Sequence, residues 1–389
     1  MPRLAPVVLI ALSLSLGCGT TRSVICNLPA SSSASTCSCG ACPAQFYADV
    51  FALGNNGEIA AFPVETPDFG LGTPTTMPGP ASSMGMVQIG DEFLYASDPQ
   101  NASGPSIDAW TINVQTGALT AVSGWPFVLA PSAEPRGLAA AQGAEPAGEF
   151  LYVADTGTID ALVLNTGTGG PVTIVPGSPF ASGTNVYLTV DPLSRFVFAA
   201  DEDAPGGVLA FTINPSTGVL SAVPGSPFAI GSASNPVSVG QIMVDPTGSF
   251  VYVTLPATGQ VAGFSIDASS GVLTPVPGSP FAAGSGAFAI AVQASGTNFP
   301  SYIYVANQMA DSISGYSINE TTGALTPLAS SPFTAAGVTA LVTDSHDDLY
   351  AYGASGMTVF SIGPNSGELA PIGSPVAFSG ATVLTYVGP

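Results

Sequence analysis

The amino-acid sequence predicts an all-β fold, and three observations support that prediction. Short apolar or alternating runs of strand length recur along the chain, as at residues 250–254 and 260–266. Glycine and proline, with 46 and 36 residues, separate these runs, and no sustained helical periodicity follows the N-terminal segment. Hydrophobic residues make up 46% of the chain, which is enough apolar material for one large core.

A repeated module organises the chain. Its first strand carries an aromatic residue, and a second strand, a glycine turn such as Thr217-Gly218, a third strand and a fourth apolar run follow. The seven aromatic positions are Tyr47, Tyr95, Tyr152, Phe198, Tyr252, Tyr304 and Tyr350. Their strands are predicted near 45–51, 93–97, 150–154, 196–200, 250–254, 302–306 and 348–352. Seven modules of four antiparallel strands predict a seven-bladed β-propeller over residues 45–389.

The phase of the repeat predicts how the ring closes. The chain enters on the second strand of a blade and ends on an unpaired run at 381–387, which is expected to become the innermost strand of the first blade. Strand parity places the Thr-Gly turns on one face, here called the hairpin face. The opposite face, here called the ligand face, is expected to collect the ends of the aromatic strands and the Pro-Gly-Ser-Pro-Phe connections at 176–180, 224–228 and 277–281.

The charge of the chain excludes some partners. Four arginines, no lysine and 25 acidic residues give a formal net charge of −21. Such a surface repels phosphate backbones and anionic lipid headgroups, so neither nucleic-acid binding nor polybasic membrane attachment is expected.

The N-terminal segment predicts export. Residues 1–17 have a basic start, an apolar stretch too short to span a bilayer and small residues before Cys18. This layout indicates a lipoprotein signal peptide with lipidation at Cys18, and hence an anchored protein of the cell envelope, at the outer membrane or cell surface. Ordinary cleavage that leaves Cys18 free is the alternative.

Residues 18–44 are interpreted as a tether rich in cysteine. Its other cysteines are Cys26, Cys37, Cys39 and Cys42. Four thiolates could bind a metal ion or cluster, but an exported chain favours two disulfides of undetermined pairing.

Several strand and turn motifs carry a family resemblance. Phe150-Leu-Tyr-Val-Ala-Asp155, Tyr302-Ile-Tyr-Val-Ala-Asn307 and Thr322-Gly-Ala-Leu-Thr-Pro327 resemble the repeats of lactonase-type seven-bladed propellers, which include 6-phosphogluconolactonases, carboxymuconate cyclases and surface propellers with Tyr-Val-Thr-Asn repeats. The resemblance covers residues 45–389 and implies the propeller fold. It also implies hydrolysis or cyclisation chemistry on acidic lactones, with His, Arg and Glu clustered on one face, and Arg136 is the best positional match to a family arginine.

The inventory of catalytic side chains is small. His346 and Arg195 fall in turns of the hairpin face, whereas Glu134 and Arg136 lie at the ligand face. One histidine leaves little room for a Ser-His-Asp triad. The leading hypothesis is therefore a non-catalytic module that binds an envelope protein or a carbohydrate. The alternative is a sugar lactonase in which Glu134 activates water and Arg136 holds the oxyanion, although a local Arg–Glu pair also explains these two residues.

The remaining candidates are acidic or amide residues of the ligand face. Asp98, Asp155, Asp201 and Asn307 end aromatic strands, where such residues usually form turns. Asp201, Glu202 and Asp203 form the densest acidic loop. A Ca²⁺ site there would make the protein a calcium-dependent surface adhesin, but a solvated acidic loop is favoured because the spacing matches no known calcium loop, and no other cofactor is expected.

Overall fold

A computed structural model describes residues 49–65, 70–81, 83–90, 92–113, 116–144, 148–165, 167–203, 205–232, 234–293, 301–378 and 380–387. All of them belong to one compact unit, Gln45–Pro389. The predicted signal peptide, the tether and all five cysteines lie outside the described residues, so export, lipidation and disulfides stay predictions. The described residues include no helix with the length and hydropathy needed to cross a membrane.

The predicted seven-bladed β-propeller is confirmed, and every strand pairing inside its blades is antiparallel. Blade 1 contains β1 (Asp49–Gly54), β2 (Glu58–Glu65), β3 (Gly70–Leu71) and β4 (Thr75–Pro78). Blade 2 contains β5 (Met86–Ile89), β6 (Phe93–Asp98), β7 (Ser106–Ile112), β8 (Leu119–Ala121) and β9 (Phe127–Val128). Blade 3 contains β10 (Leu138–Gln142), β11 (Glu149–Leu164) and β12 (Pro171–Ile174), and β13 (Phe180–Val190) leads from it into blade 4.

The second half of the ring repeats the same plan. Blade 4 adds β14 (Phe196–Asp201), β15 (Gly207–Ile213), β16 (Leu220–Ala222) and β17 (Phe228–Ala229). Blade 5 contains β18 (Ile242–Val244), β19 (Phe250–Leu255), β20 (Gln260–Ile266), β21 (Leu273–Pro275) and β22 (Phe281–Ala282). Blade 6 contains β23 (Ala287–Gln293), β24 (Tyr302–Asn307), β25 (Ser312–Ile318), β26 (Leu325–Pro327) and β27 (Phe333–Thr334). Blade 7 contains β28 (Ala340–Thr343), β29 (Asp348–Gly353), β30 (Gly356–Ile362) and β31 (Leu369–Val376), and the chain ends on β32 (Ala381–Val387).

Ring closure by the C-terminal strand is confirmed. Strand β32 pairs with β1 along its length and becomes the innermost strand of blade 1. The register of this blade differs from the prediction, because Phe51 pairs with Thr385 and Ala61 and is fully buried. Phe51 therefore stands where the other blades have their buried aromatic residue, four positions after the predicted Tyr47, which lies outside the described residues.

The hydrophobic core lies between neighbouring blades. One buried cluster, for example, joins Phe198 of blade 4 to Val253 of blade 5. A tyrosine hydroxyl adds a polar contact to several of these interfaces by donating a hydrogen bond to the carbonyl of the turn glycine in the next blade. The pairs are Tyr95–Gly169 (2.9 Å), Tyr152–Gly218 (2.8 Å), Tyr252–Gly323 (2.8 Å) and Tyr304–Gly367 (2.7 Å). The recurring tyrosines and glycines of the sequence are thus partners across blade interfaces.

The Pro-Gly-Ser-Pro-Phe motifs do not connect blades at the ligand face, so that prediction is wrong. In blade 4, β16 and β17 both pair with β15, and the motif forms a loop that interrupts the outermost strand at the rim of the disc. The Ser226 hydroxyl accepts the amide hydrogen of Ala210 in β15 at 3.0 Å. This hydrogen bond replaces the one that the interrupted outer strand would have made with that amide. Phe228 packs against the cluster between blades 4 and 5.

Blades 3 and 4 are continuous with each other. The aromatic strand predicted near 150–154 and the second strand that follows it form the single strand β11, because β13 pairs with it through Thr156–Thr184 and Ile159–Phe180. The irregular register between Thr156 and Thr158 marks the turn that was expected there. The ligand face of blades 3 and 4 is consequently built on one joined sheet.

Candidate functional site

A cavity of about 400 Å³ occupies the mouth of the central channel at the ligand face. It is formed where blades 1, 2, 4, 6 and 7 bring the ends of their strands together. Its lining residues are Asn55, Ser83, Met84, Tyr187, Phe288, Gln308, Thr339, Tyr352, Gly380, Ala381 and Thr382. None of these residues is ionised at neutral pH, and aromatic rings and methyl groups alternate with amides and hydroxyls, which is the composition of a small-molecule site.

The aromatic residues of the mouth differ in how their polar atoms are used. Tyr187 and Phe288 pack edge to face, with ring centroids 5.7 Å apart. The Tyr352 hydroxyl donates to the Phe378 carbonyl at 2.9 Å and accepts the Gly380 amide at 2.6 Å. Within the described part of the chain, no hydrogen-bond partner contacts the Tyr187 hydroxyl, so Tyr187 can donate to a bound molecule.

Glu134 and Arg136 lie beside this mouth. The Arg136 guanidinium is 3.3 Å from the Glu134 carboxylate, and the Thr156 hydroxyl donates to the same carboxylate oxygen at 3.2 Å. The Arg136 side chain is 29% exposed and the Glu134 side chain is 63% exposed, so solvent and small molecules can reach both. The Asp155 carboxylate accepts the Glu134 amide hydrogen and thereby holds the segment that carries the pair.

Strand register relates Arg136 to the cavity. In each blade the buried tyrosine pairs with one residue of the inner strand, and the residue three positions before that partner is Arg136 in blade 3, Phe288 in blade 6 and Thr339 in blade 7. Phe288 and Thr339 both line the mouth, so Arg136 stands at the equivalent position of its own blade.

Burial raises the pKa of Tyr187 to about 12, and the charge of Glu202 raises this pKa further while the charge of Arg136 lowers it. The phenol is therefore protonated at neutral pH, and both charges act at this edge of the mouth.

The carboxylates of the acidic loop of blade 4 accept hydrogen bonds from neighbouring residues of the protein. The Asp203 carboxylate accepts the amide and the hydroxyl of Thr184 at 3.1 and 2.8 Å, and the Asp201 carboxylate accepts the Asp203 amide at 3.1 Å. These contacts fasten β13 to the end of β14. Among the residues that the structure describes, no three His, Cys, Asp or Glu side chains are grouped so as to hold a metal ion.

The other ligand-face candidates make local contacts. Asp98 accepts the Gln100 amide at 3.1 Å and the Asn101 side chain at 3.2 Å. Asn307 is fully buried and accepts the Gly284 amide at 2.9 Å. Asp155 likewise accepts backbone amides, including that of Glu134. Of the predicted site residues, Glu134 and Arg136 are brought to the mouth, with Asp155 behind them.

His346 and Arg195 lie on the hairpin face. The Arg195 guanidinium binds the Asp191 carboxylate at 2.7 Å and also reaches the Ala268 carbonyl in a hairpin of blade 5. The His346 ring nitrogen lies 3.4 Å from the Tyr386 hydroxyl near the last residues of β32. The thickness of the disc therefore separates both residues from Arg136.

Sequence reasoning missed Tyr187. Tyr187 lies in the inner strand β13 of blade 4, two residues before the partner of the buried aromatic residue. At this position blades 3 and 6 have the small residues Gly137 and Ala289. That contrast in size within an otherwise regular repeat was the available signal.

No protein-family model and no curated protein matches the sequence. Solved structures do match. A Bacteroides uniformis protein provisionally named a 6-phosphogluconolactonase has a TM-score of 0.69 at 18% identity, covering 88% of this chain and 100% of that one. A Bacteroides fragilis protein with the same provisional name has a TM-score of 0.68 at 14% identity, covering 88% and 98%. The periplasmic gluconolactonase of Pseudomonas aeruginosa has a TM-score of 0.67 at 15% identity, covering 88% and 99%.

These neighbours confirm the resemblance to lactonase-type propellers at the level of the fold. They also correct the leading functional hypothesis. The interpretation as a non-catalytic binding module is contradicted by these three neighbours, which carry lactonase names, and the lactonase alternative replaces it as the leading hypothesis. The small number of histidines and arginines in the chain is compatible with this alternative, because the Glu134 carboxylate and the Arg136 guanidinium lie beside the mouth that the Tyr187 phenol lines.

Proposed function

We propose that this protein hydrolyses a lactone at the mouth of its central channel. The observation that carries the proposal is the Glu134–Arg136 pair beside a cavity of about 400 Å³. Tyr187 lines this cavity, and no residue that the structure describes is a hydrogen-bond partner of its hydroxyl. A cyclic ester fits such a site because it needs a base for water and donors for the developing oxyanion. The lactonase names of the structural neighbours support the same chemistry.

Each residue takes one role in the proposed reaction. Glu134 accepts a proton from water as the water oxygen bonds to the carbonyl carbon of the lactone. Arg136 and the neutral Tyr187 phenol donate hydrogen bonds to the oxyanion of the tetrahedral intermediate. The intermediate collapses by breaking the ring C–O bond, and Glu134 returns its proton to the departing oxygen, which yields the hydroxy acid.

The experiment is a lactone panel assayed with the purified propeller and two arginine variants. Arg136→Ala is expected to lower kcat/KM about 100-fold, the usual effect of removing one oxyanion donor. Arg195→Ala is the matched control, because Arg195 is 28% exposed against 29% for Arg136 but lies on the hairpin face. A flat panel, or equal losses in the two variants, would sink the proposal.

Export and anchoring form a second part of the proposal. The signal-like residues 1–17 support export, and a periplasmic structural neighbour is consistent with it. Lipidation at Cys18 would attach the propeller to the membrane without a spanning segment. Fractionation of cells that produce the wild type or Cys18→Ser tests this, since the variant should leave the membrane fraction; equal membrane retention would contradict lipidation.

A further inference from the structure

The mouth cavity is continued by a second cavity deeper in the ring. This channel cavity, of about 320 Å³, is lined by the inner strands of blades 5, 6, 7 and 1. Along three of those strands the two cavities follow one another directly, since Phe288, Thr339 and Thr382 line the mouth and the channel lining resumes within two residues of each. A molecule seated at the mouth therefore lies at the entrance of the channel.

Nine of the twelve residues that line the channel cavity are apolar, and they include Met243, Val292, Val342 and Val383. The three polar residues of the wall are Gln241, Thr343 and Thr385. Two of these polar side chains bond within the protein, because the Gln241 carboxamide oxygen accepts the Ile290 amide at 3.1 Å and the Thr343 hydroxyl donates to the Val292 carbonyl at 3.0 Å. An apolar chain that enters this channel would exchange water for hydrocarbon contacts, which is favourable for each methylene buried.

The charges around the mouth disfavour an anionic substrate. Arg136 is the one arginine that the described residues place on the ligand face, and its guanidinium is already paired with Glu134. Glu202 adds a negative charge at the same edge, because it follows the end of β14 and its amide donates to the Thr184 carbonyl at 3.0 Å. The net charge of −21 adds long-range repulsion, and the sequence has no lysine to offset it. A phosphorylated sugar lactone would therefore be repelled.

We infer that the substrate is an uncharged lactone with an apolar chain, its ring held at the mouth and its chain lying in the central channel. This inference rests on the proposed function for the reacting ring. The channel adds what the mouth alone does not specify, namely the apolar substituent of the substrate.

The test is a series of γ-lactones whose alkyl chain grows from ethyl to octyl, assayed beside gluconolactone and 6-phosphogluconolactone. We expect kcat/KM to rise about fourfold per methylene until the channel is full, which corresponds to about 0.8 kcal/mol per buried methylene. The phosphorylated lactone should be the poorest substrate. Calorimetry with an octyl γ-lactam, which keeps the ring and chain but resists hydrolysis, measures binding without turnover and should show a negative heat-capacity change.

Two channel variants and one control locate the effect. Val342→Phe fills the channel and should abolish the dependence on chain length while the ethyl lactone is still hydrolysed. Met243→Gln keeps the side-chain size but adds polar atoms, and it should weaken the dependence in case the first variant is too poorly packed to fold. Val128→Phe is the control, because Val128 lies on the outer rim and is 46% exposed.

The outcomes separate the two proposals. A chain-length dependence that Val342→Phe removes supports the inference. Turnover of sugar lactones without any effect of chain length overturns the inference and leaves the lactonase proposal standing. Binding of the octyl lactam that Val342→Phe removes, with no lactone hydrolysed, supports the ligand class and overturns the proposed activity. No binding and no turnover overturn both.

Discussion

Two pairs of aspartates stand at equivalent positions of neighbouring blades. In blade 2, burial and then the charge of Asp98 raise the pKa of Asp108 to about 6. In blade 3, burial and then the charge of Asp155 raise the pKa of Asp160 to about 6. Each pair faces the interface with the preceding blade, so part of the molecule's negative charge is held where water cannot fully solvate it.

Blade 6 has uncharged side chains at the positions equivalent to these aspartates. There Asn307 donates to the hydroxyls of Ser312 and Ser314 at 3.1 and 2.9 Å. An amide and two hydroxyls satisfy each other without repulsion, whereas two carboxylates repel each other when both are ionised. The aspartate pairs are therefore a cost to stability at neutral pH that blade 6 avoids.

The first prediction concerns this pH dependence. Asp108 and Asp160 have raised pKa values in the folded state, so protonation stabilises the fold, and that stability is lost as the pH rises through about 6. The protein should become more stable from pH 7.5 to pH 5.5 in urea unfolding. Asp108→Asn with Asp160→Asn should stabilise it at pH 7.5 by about 1–2 kcal/mol, after allowing for solvent screening, and flatten the pH profile.

Glu320→Gln is the control for this experiment, because it removes one carboxylate from an exposed turn. It should leave the slope of the pH profile unchanged. An unchanged slope in the double aspartate variant as well would show that other groups set the pH dependence.

Among the elements, a hairpin of one blade is hydrogen-bonded to a strand of the preceding blade at four interfaces. In the best-defined example, Gly323 has a φ of +72° and accepts a hydrogen bond from the Tyr252 hydroxyl. A Cβ at this glycine would lie 2.4 Å from the Phe250 ring. The glycine is needed for two separate reasons, its backbone conformation and the close approach of the ring.

The second prediction separates these two reasons. Gly323→Ala should lower the free energy of unfolding by about 3 kcal/mol, because it adds a steric clash to the strain of a positive φ. Gly373→Ala, where φ is +65° and no atom lies within 4 Å of the added carbon, should cost about 1 kcal/mol. Denaturant unfolding of both variants measures the difference. Equal losses would show that the Phe250 ring moves aside without cost.

At the scale of the whole molecule, stability depends on the closed ring. Strand β32 pairs with β1, and the Thr382 hydroxyl reaches the carbonyls of Leu53 and Ser83 at 3.2 and 3.3 Å. These contacts join the last strand to blades 1 and 2. Without it, β1 and the adjoining blade interface would expose an unpaired edge and apolar side chains.

The third prediction is that deleting residues 380–389 abolishes cooperative folding. Thermal unfolding followed by circular dichroism should show a broad transition in the truncated chain and a sharp one in the intact chain. Adding back the missing segment as a peptide should restore part of the sharp transition. A truncated chain that melts like the parent would refute the role of β32 in closure.

The number of blades, most strand positions and the closing strand could be predicted from the sequence, because they follow from local periodicity and recurring turn residues. It also singled out Glu134 and Arg136, which lie two residues apart just before the inner strand β10, as candidate site residues.

Features that depend on partners far apart in the chain could not be predicted from the local pattern. The register of blade 1 follows from β32, more than 300 residues away, so the local pattern around Tyr47 misplaced it by four residues. The outer-strand role of the Pro-Gly-Ser-Pro-Phe motifs depends on both halves pairing with the same third strand. The mouth needs Tyr187, Phe288 and Tyr352 from three blades, and nothing local to each strand shows that these rings meet around one cavity.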